Sequence, residues 1–355
     1  MTVLKAFVVG LAMMKAFVVE EKKTFGEIGH LKEANVPKPT PSGHDILVKT
    51  KAIATNPIDY KVLGTEGDDE ALESPLIVGY DASGIVEAVG PDATLFEVGD
   101  EVFFSGSMVR AGTYAEYTLV DDRIVGKKPS SVSWSESAAL PLTSITAWEG
   151  MVDKLKIPTD KSQNEGKTIL ITAAAGGVGS VAVQIAKNVL GLTVIGTASR
   201  PETEAYVRGN GADYVVNHRH EYKPQLEELG IDSVDYVYHL SDITEDLFDQ
   251  FADIVKPFGG IASISAGVKA DLMKLFWKSI SFCPELMFTR PMTGVGLERQ
   301  HEILNSVSEL VDEGTVKSTQ TQTFELNLEN LKKALEIQAS GKAIGKITLA
   351  LADDE

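Results

Sequence analysis

The spacing of apolar residues divides the chain into two regions. From about residue 15 to residue 140, short apolar stretches alternate with polar positions and stop at turn residues such as Gly90 and Pro91, which is typical of β-strands joined by tight loops. From Thr168 onward, short β-branched runs alternate with longer stretches of helical spacing. This alternation favours a parallel sheet with helices wound on both faces. The pattern predicts an α/β chain in which an all-β region precedes a doubly wound one.

The last part of the chain is predicted to return to the first region. Residues 299–313 carry helical spacing and end at Gly314, and two strands and another helix follow. We therefore expect residues 1–140 and 299–355 to form one domain, with residues 141–298 inserted into it as a nucleotide domain. The predicted strands are residues 45–54, 83–89, 101–104, 115–120, 192–197, 213–216, 234–238, 261–264, 316–326 and 346–350, and the later predicted helices are residues 245–255, 299–313 and 328–340.

The N-terminal segment contains a repeat. Leu4-Lys-Ala-Phe-Val-Val9 recurs as Met14-Lys-Ala-Phe-Val-Val19. One interpretation is a pair of strands joined around residues 10–13, and another is an extension ahead of an older start at Met14. We expect the first copy to be mobile or to pair at a sheet edge.

The composition narrows the functional classes. The chain has 355 residues and a formal net charge of −18, so a phosphate backbone would be repelled and we expect no nucleic-acid partner. No apolar run is long enough to span a bilayer, and the N-terminus does not resemble a secretory leader, which predicts a cytoplasmic protein without a membrane partner. The single cysteine, Cys283, excludes an internal disulfide and the common thiolate zinc clusters.

A glycine-rich turn lies between a buried strand and a helix. Residues 168–187 open with a β-branched run, break at Gly176-Gly177-Val178-Gly179 and resume as a small-residue helix. This order matches the dinucleotide-binding fingerprint, in which Gly176 lets the backbone approach a pyrophosphate and Gly179 lets the helix pack on the strand. The free N–H groups at the helix start favour phosphate. Ala174 stands where the fingerprint has its first glycine, and a purely structural turn is the alternative.

Six motifs of the chain stand out as a set. In chain order, they are Val78-Gly-Tyr-Asp-Ala-Ser-Gly-Ile-Val-Glu-Ala-Val-Gly90, Gly99-Asp-Glu-Val102, Pro141-Leu-Thr-Ser-Ile-Thr-Ala-Trp148, Ala173-Ala-Ala-Gly-Gly-Val-Gly179, Glu285-Leu-Met-Phe-Thr-Arg290 and Gly341-Lys-Ala-Ile-Gly-Lys-Ile347. The first two resemble the signature of the medium-chain dehydrogenase/reductase superfamily, and the next two resemble its quinone oxidoreductase branch. The last two look like the subgroup called zinc-type alcohol dehydrogenase-like proteins, and all six are in register.

The resemblance covers about residues 14–349 and carries expectations for the whole chain. It implies that residues 1–140 and 299–355 form a GroES-like domain and that residues 141–298 form a Rossmann domain. It further implies a cofactor cleft between the two domains. A homodimer, commonly formed through the Rossmann sheets, is also implied.

The zinc ligands of the superfamily are missing from the matching positions. Where zinc-dependent relatives have a cysteine three residues before an aspartate, this chain has Asn56 before Asp59, and their Gly-His-Glu is matched by Gly79-Tyr80-Asp81. The four-cysteine loop is also missing, since residues 106–114 contain no cysteine. Zinc needs thiolate or imidazole ligands at fixed spacing, so we expect no zinc. A zinc-dependent alcohol dehydrogenase is the alternative.

The expected cofactor is NADPH. The second strand of the nucleotide region ends in Thr197-Ala-Ser-Arg-Pro201, without the acidic residue that binds the ribose of NAD. Arg200 offers a planar donor fork for a 2′-phosphate and Ser199 adds a hydroxyl, and the quinone oxidoreductases carry a basic residue at this place. A solvated arginine that caps a helix is the alternative. His218, after the third strand, is a further candidate on the adenosine side.

The resemblance implies the remaining cofactor residues. Asn56 matches an asparagine near the nicotinamide ribose, and Lys346 matches a lysine near the cofactor. Thr143 and Thr146 match threonines that approach the carboxamide. The complete set of candidate cofactor residues is Asn56, Thr143, Thr146, Ala174, Gly176, Gly177, Val178, Gly179, Thr197, Ser199, Arg200, His218, Leu240, Ser265 and Lys346.

Without a metal, the hydride of the nicotinamide needs an acceptor that is electrophilic by itself, such as a quinone or an α,β-unsaturated carbonyl. Asn56 and Tyr80 are candidates for stabilising the developing oxyanion or enolate, with Tyr80 also a candidate proton donor, and Lys61 is a candidate for stabilising an enolate. A packed tyrosine and a solvated lysine are the alternatives. We predict a zinc-independent, NADPH-dependent reductase of a small quinone or enone. A non-catalytic NADPH-binding protein, crystallin-like or redox-sensing, is the alternative from another class. The candidate residues of the substrate cleft are Tyr60, Phe288 and Arg290.

Overall fold

The computed structural model describes residues 12–24, 28–65 and 69–352, and the first copy of the repeat, residues 4–9, lies outside these ranges. The strands are β1 Met13–Thr24, β2 Lys32–Pro37, β3 Asp45–Ala54, β4 Gly64–Thr65, β5 Glu70–Ile77, β6 Asp81–Val89, β7 Glu101–Ser105, β8 Tyr117–Asp121, β9 Val125–Lys127, β10 Thr168–Ile171, β11 Thr193–Thr197, β12 Tyr214–Val216, β13 Val234–His239, β14 Val255–Ser263, β15 Ser281–Pro284, β16 Gln320–Glu325 and β17 Lys346–Ala350.

Most helices are short and lie in the second half of the chain. Two π-helical turns, Glu149–Lys154 and Ile185–Val189, directly extend α3 and α4, and two 3-10 turns span Asp122–Ile124 and Lys161–Asn164. The α-helices are α1 Pro57–Lys61, α2 Trp134–Ala138, α3 Pro141–Trp148, α4 Gly177–Gln184, α5 Pro201–Gly209, α6 Tyr222–Glu228, α7 Glu245–Ile254, α8 Met273–Phe276, α9 Thr289–Thr293, α10 Glu298–Asp312 and α11 Leu328–Ala339.

A seven-stranded sheet forms the centre of the first region. Its strands run in the order β16-β17-β3-β6-β7-β9, and β8 also pairs with β3. The last strand of the chain, β17, pairs antiparallel with β3, so the C-terminal segment returns to the first region. A second, smaller sheet is built from β1, β2, β4 and β5. The domain boundaries given above stay a prediction.

The second region is a parallel six-stranded sheet in the order β12-β11-β10-β13-β14-β15, and every pair of neighbours is parallel. Counted by sequence, this is the 3-2-1-4-5-6 order of the doubly wound dinucleotide fold. Its central strands are buried on both faces, which explains their continuous apolar runs. The predicted fold class, a GroES-like β region with a doubly wound Rossmann sheet, is confirmed.

Two predicted strands start at least two residues later than expected. Strand β16 begins at Gln320 rather than at residue 316, because the backbone N–H and carbonyl of Lys317 bond to the side chain of Gln184 in α4 at 2.8 and 3.2 Å. Strand β8 begins at Tyr117, because Ala115 instead forms a single bridge to Ala16 of β1 and joins the two sheets of the first region. In both places a contact with another element takes the backbone groups that a longer strand would use.

The strand order of the parallel sheet reverses between β10 and β13. Chain connections leave β10 toward β11 on one side and β13 toward β14 on the other, and ligands of doubly wound sheets bind at the carboxyl ends of such strands. Helix α3 lies between this edge and the first region, since it contacts α4, β6 and β7. Among the described residues, no helix is both long and apolar enough to cross a bilayer.

Candidate functional site

The glycine turn after β10 is shaped by close packing. A Cβ on Gly179 would lie 2.3 Å from the carbonyl oxygen of Ala173 and 2.6 Å from the Cα of Ala174, so α4 can approach the turn only with glycine there. Ala173 itself has a positive φ of 46°. The predicted packing role of Gly179 agrees with this geometry. Ala174 is completely buried, and its Cβ lies beneath the turn against Gly196.

A cavity of about 450 Å³ opens at the carboxyl ends of β10, β11 and β12. It brings together five of the predicted cofactor residues from three separate segments, namely the glycine turn, the end of β11 and the loop after β12. Among the predicted residues, those lining the cavity are Gly176, Thr197, Ser199, Arg200 and His218.

The cavity has a charge opposite to that of the chain. Among the described residues that line it, none is acidic, and Arg200, Arg219 and Lys342 are basic. The chain as a whole has a net charge of −18. Arg200 is held in place because its Nη2 donates to the carbonyl oxygen of Lys342 at 3.3 Å and its Nε lies 3.2 Å from Glu202. Burial and the neighbouring Arg219 lower the pKa of His218.

Two basic residues of the cavity were missed in the sequence. Arg219 directly follows His218, and Lys342 lies in the motif 341–347, where only Lys346 was given a role. The segment is brought to the cavity because the N–H of Gly345 donates to the carbonyl oxygen of Ala175 at 2.8 Å. The position of Lys342 within a motif of the resemblance was the one signal that could have found it.

The end of β13 is fixed by side-chain hydrogen bonds at the cavity wall. The hydroxyl of Thr172 lies 2.9 Å from Nδ1 of His239 and accepts from the N–H of Leu240 at 2.9 Å. Burial is the main reason that the pKa of His239 is lowered. Leu240 and Ser265 follow the carboxyl ends of β13 and β14, and the carbonyl of Ser265 accepts from Ser263. Neither lines the cavity, so their cofactor role stays a prediction.

A buried polar network occupies the other half of the cleft. Lys346 Nζ donates to Asn56 Oδ1 at 2.6 Å, to the carbonyl oxygen of Thr55 at 2.8 Å and to Asp81 Oδ2 at 2.9 Å. Asn56 Nδ2 donates to the same Asp81 oxygen at 2.8 Å. The N–H of Leu142, at the start of α3, donates to the other oxygen of Asp81 at 2.7 Å. The side chains of Lys346, Asn56 and Asp81 thus fix β17, α1, β6 and α3 to one another.

The network touches the glycine turn. A Cβ on Gly177 would lie 3.0 Å from Cδ of Lys346 and 3.2 Å from Cγ2 of Thr143, so both side chains face the start of α4. The hydroxyls of Thr143 and Thr146 donate to backbone carbonyl oxygens about one turn earlier, that of Leu140 at 3.1 Å and that of Leu142 at 2.7 Å. The structure therefore brings Asn56, Lys346, Thr143 and Gly177 to one place, and their role in cofactor binding stays a prediction.

Asp59 and Tyr80 form the wall next to this network. Asp59 is completely buried and accepts from the hydroxyl of Tyr114 and from the N–H of Asn56, both at 2.7 Å. Burial raises the pKa of Asp59 to about 7. Burial, and then Asp59, raise the pKa of Tyr80 well above its usual value, so its phenol stays protonated at neutral pH. Its ring packs edge-on against Phe288 with centroids 4.9 Å apart.

The other candidate side chains are placed less centrally. Lys61 is exposed at the end of α1, and no hydrogen bond or ion pair joins it to another residue of the described chain. Tyr60 is half-buried, and burial followed by Asp242 raises its pKa, which places its phenol toward the loop after β13. The guanidinium of Arg290 bonds to Glu149 at 2.8 Å and to the carbonyl oxygen of Gly296 at 3.1 Å. Its donors thus point into an ion-pair network.

The positions that match zinc ligands carry a different donor set. An ammonium group, that of Lys346, lies within hydrogen-bond distance of both Asn56 and Asp81, and a bound cation there would be repelled by it. Within residues 12–24, 28–65 and 69–352, no three or more His, Cys, Asp or Glu side chains are grouped so that they could hold a metal ion. The residues present do not fit zinc. In contrast, the glycine turn, the start of α4 and the basic cavity fit a dinucleotide phosphate.

Comparisons with known proteins agree with this architecture. Residues 42–130 match the alcohol dehydrogenase GroES-like domain, and residues 210–349 match the zinc-binding dehydrogenase family. A zinc-type alcohol dehydrogenase-like protein of Staphylococcus aureus is 43% identical over 88% of this chain and 92% of its own length. Human quinone oxidoreductase is 34% identical over 67% of this chain and 70% of its own. A Rhizobium etli crystal structure, provisionally called a zinc-dependent alcohol dehydrogenase, is 43% identical, covers 96% of this chain and 98% of its own, and has a TM-score of 0.88.

Proposed function

The chain belongs to the zinc-type alcohol dehydrogenase-like proteins of the medium-chain dehydrogenase/reductase superfamily, and from this premise we propose a zinc-independent reductase that uses NADPH to reduce a quinone or an α,β-unsaturated carbonyl. The family is one of oxidoreductases that bind NAD(P). The observation that carries the proposal is the cavity of about 450 Å³, whose described lining residues include three basic side chains and no acidic one. A 2′-phosphate is the group that distinguishes NADPH from NADH.

The cofactor site follows from the chain's own residues. The turn at Gly176 and Gly177 leaves room for a pyrophosphate at the start of α4, where free N–H groups favour negative charge. Arg200 presents a planar fork that matches phosphate geometry, and Arg219 and Lys342 add positive charge beside it. NADPH, when bound, supplies the hydride.

The residues at the reacting end position the bound molecules and supply a hydrogen-bond donor to the substrate. The network of Lys346, Asp81 and Asn56 fixes the amide of Asn56 beside the glycine turn, which limits the motion of anything bound there. The phenol of Tyr80 remains protonated at neutral pH and can donate a hydrogen bond to a developing oxyanion. Phe288 packs on Tyr80 and excludes water from this side.

The acceptor class follows from the donor set. The positions of Asn56, Tyr80 and Asp81 offer an amide, a phenol and a lysine-paired carboxylate, which is a poor set for zinc. A simple ketone would need strong stabilisation of its alkoxide. A quinone or an enone spreads the incoming charge over a conjugated system and needs less.

The experiment is NADPH consumption by chelator-treated protein, with a benzoquinone, a naphthoquinone, an aliphatic enone and a simple ketone compared. Zinc content is measured on the same sample. We expect turnover of a quinone or enone with NADPH, unchanged by chelator. Loss of activity with chelator, or turnover of the ketone alone, would overturn the zinc-independent assignment. NADPH binding without turnover of any acceptor would favour the non-catalytic binding protein.

A homodimer in the cytoplasm is also part of this proposal. In the described part of the chain, β15 pairs with β14 on one side and leaves its other edge open, and the nearby Phe276 and Trp277 expose 66% and 80% of their surface. An open edge beside exposed aromatic residues is typical of an interaction surface. Analytical ultracentrifugation tests the homodimer, and a monomer at micromolar concentration would contradict it.

A further inference from the structure

The motif Glu285-Leu-Met-Phe-Thr-Arg290 connects the Rossmann sheet to the cleft. The N–H of Glu285 donates to the carbonyl oxygen of Ser263, at the end of β14, at 2.8 Å. Three residues later the ring of Phe288 packs on Tyr80. The function proposed above uses Phe288 but gives no role to the first residue of the motif.

Glu285 forms a buried pair with Glu149. Each is only 3% exposed, and a side-chain hydrogen bond between the two carboxyl groups contributes to the pKa shift of each. Glu149 accepts from Nε of Arg290 at 2.8 Å. Among the described residues, no N–H or O–H group donates a hydrogen bond to either carboxyl oxygen of Glu285. Two buried carboxylates in contact cannot both stay charged at moderate cost, so one proton must lie between them.

The surroundings decide which residue holds the proton. Burial raises the pKa of Glu149, while its contacts with Glu285 and Arg290 oppose that rise. Burial, and then the charge of Glu149, raise the pKa of Glu285 to about 9. The arginine therefore stabilises a charged Glu149, and Glu285 is the protonated partner.

The other described groups near the pair do not donate a hydrogen bond to Glu285. The nearby Asp153 raises the pKa of Glu285 further, and Lys154 partly lowers it. The phenol of Tyr238 also faces the pair, and burial and these two glutamates raise its pKa. Its hydroxyl already donates to the carbonyl oxygen of Thr146 at 2.6 Å. Among the described residues, no other group donates to Glu285, so its own proton is the donor that this contact needs.

We propose that Glu285 is a positioning residue, whose protonated carboxyl donates to the Glu149 carboxylate and thereby holds Phe288 against Tyr80. Glu149 opens the π-helical turn that directly follows α3, and such turns recur at functional sites. The pair ties the segment that carries Phe288 to the helix that carries Thr143 and Thr146. Its effect on turnover rests on the proposed function, whereas the protonation does not.

Infrared spectroscopy of the whole protein tests the protonation directly. In Glu285→Gln, an amide N–H donates to Glu149 in place of the carboxyl O–H, so the contact remains but its titrating proton is gone. We expect the natural chain at pH 8, where Asp59 with its pKa of about 7 is mostly charged, to show a carbonyl band of a buried carboxylic acid that titrates near pH 9 and is absent from Glu285→Gln. The control is Glu302→Gln, at a side chain that is 61% exposed, which should leave the band unchanged. No such band, or one that survives Glu285→Gln, would overturn the proposal.

Thermal unfolding gives a second test that needs no activity. Because the pKa of Glu285 is higher in the folded chain than its ordinary value of 4.5, the folded state holds the extra proton between these two pKa values. Stability is therefore lost as the pH rises through this window. We expect Glu285→Gln to unfold several degrees above the natural chain at pH 9 and to lose that advantage at pH 5. Parallel curves for both proteins would contradict the shared proton.

Turnover separates positioning from simple packing. Glu285→Ala removes the hydrogen bond, and we expect it to lower kcat/KM by about tenfold at pH 7, the equivalent of one charge-assisted hydrogen bond. Glu285→Gln is expected to restore most of this loss. Equal losses in both variants would contradict a donor role for Glu285. If the natural chain reduces none of the acceptors, the proposed function fails while the infrared and thermal results still decide the protonation.

Discussion

The two halves of the cofactor cleft are built in opposite ways. The phosphate side is an open cavity of about 450 Å³, where Arg200 and Arg219 keep much of their surface in solvent. On the reacting side, Lys346, Asn56 and Asp81 are each at most 2% exposed, and within the described residues their side chains bond only to one another and to backbone groups. In the function proposed above, the first half recognises charge and the second fixes geometry.

This difference has consequences for energy. Exposed charges are screened over about 10 Å at moderate salt, so the open half can discriminate a phosphate while it contributes little to folding. A buried pair is screened much less, and removing one partner leaves the other uncompensated in a low dielectric. Variants in the reacting half should therefore reduce stability, and variants in the phosphate half should change cofactor choice.

The largest effect is expected for Lys346→Met. The change leaves the carboxylate of Asp81 buried without its cation, because the remaining partners are the amides of Asn56 and Leu142. We expect the free energy of unfolding to fall by about 3–5 kcal/mol, measured by denaturant titration. The control Lys342→Met, at an exposed lysine of the same segment, should stay within about 0.5 kcal/mol. A Lys346→Met protein as stable as the control would show that the network does not hold the two regions together.

Asp59→Asn tests the same half through pH. The pKa of Asp59 is raised from 3.8 to about 7, so the folded state holds an extra proton between these values and loses stability as the pH rises through them. Asparagine can still accept from Tyr114 and from the N–H of Asn56. Between pH 4 and pH 8, the stability of Asp59→Asn should rise relative to the natural chain by on the order of 2–4 kcal/mol. Denaturant titrations at both pH values check it, and an equal difference at the two would contradict it.

Gly179→Ala tests the turn that joins the halves. The added Cβ would lie 2.3 Å from the carbonyl oxygen of Ala173, and backbone cannot move away as a flexible side chain can. We expect a loss of about 1–3 kcal/mol in the free energy of unfolding. Gly209→Ala is the matched control, since a Cβ there has nothing within 4 Å and alanine favours its helix. Equal stabilities of the two variants would show that the close approach of α4 is not needed.

The two halves also differed in how far the sequence could predict them. The glycine turn and Arg200 lie close together along the chain, so spacing alone indicated a phosphate site and its charge. Lys346 and Asp81 are 265 positions apart, and local patterns carry no information about such pairs. Resemblance to a family supplied Lys346 and Asn56, but not their partner Asp81.

The contacts that the sequence analysis did not predict have the same physical cause. Lys342 reaches the cavity only because Gly345 docks on the glycine turn. The pair of Glu149 and Glu285 depends on a π-helical turn meeting the segment after β15, and each glutamate by itself is an ordinary acidic residue. Sequence periodicity predicted the β region and the doubly wound sheet because burial imposes a pattern on every strand. Contacts between single side chains from distant segments impose no such pattern.

The most direct test of the central claim is calorimetric binding of NADPH and NADH to the natural chain and to Arg200→Ala. We expect the dissociation constant for NADPH to rise by about 10- to 100-fold, the equivalent of one charge-assisted hydrogen bond to phosphate, and that for NADH to stay nearly unchanged. Arg208→Ala, in the same helix and paired with Glu204 away from the cavity, should alter neither. Equal losses for both cofactors, or no preference for NADPH in the natural chain, would contradict the claim that the open basic half selects the 2′-phosphate.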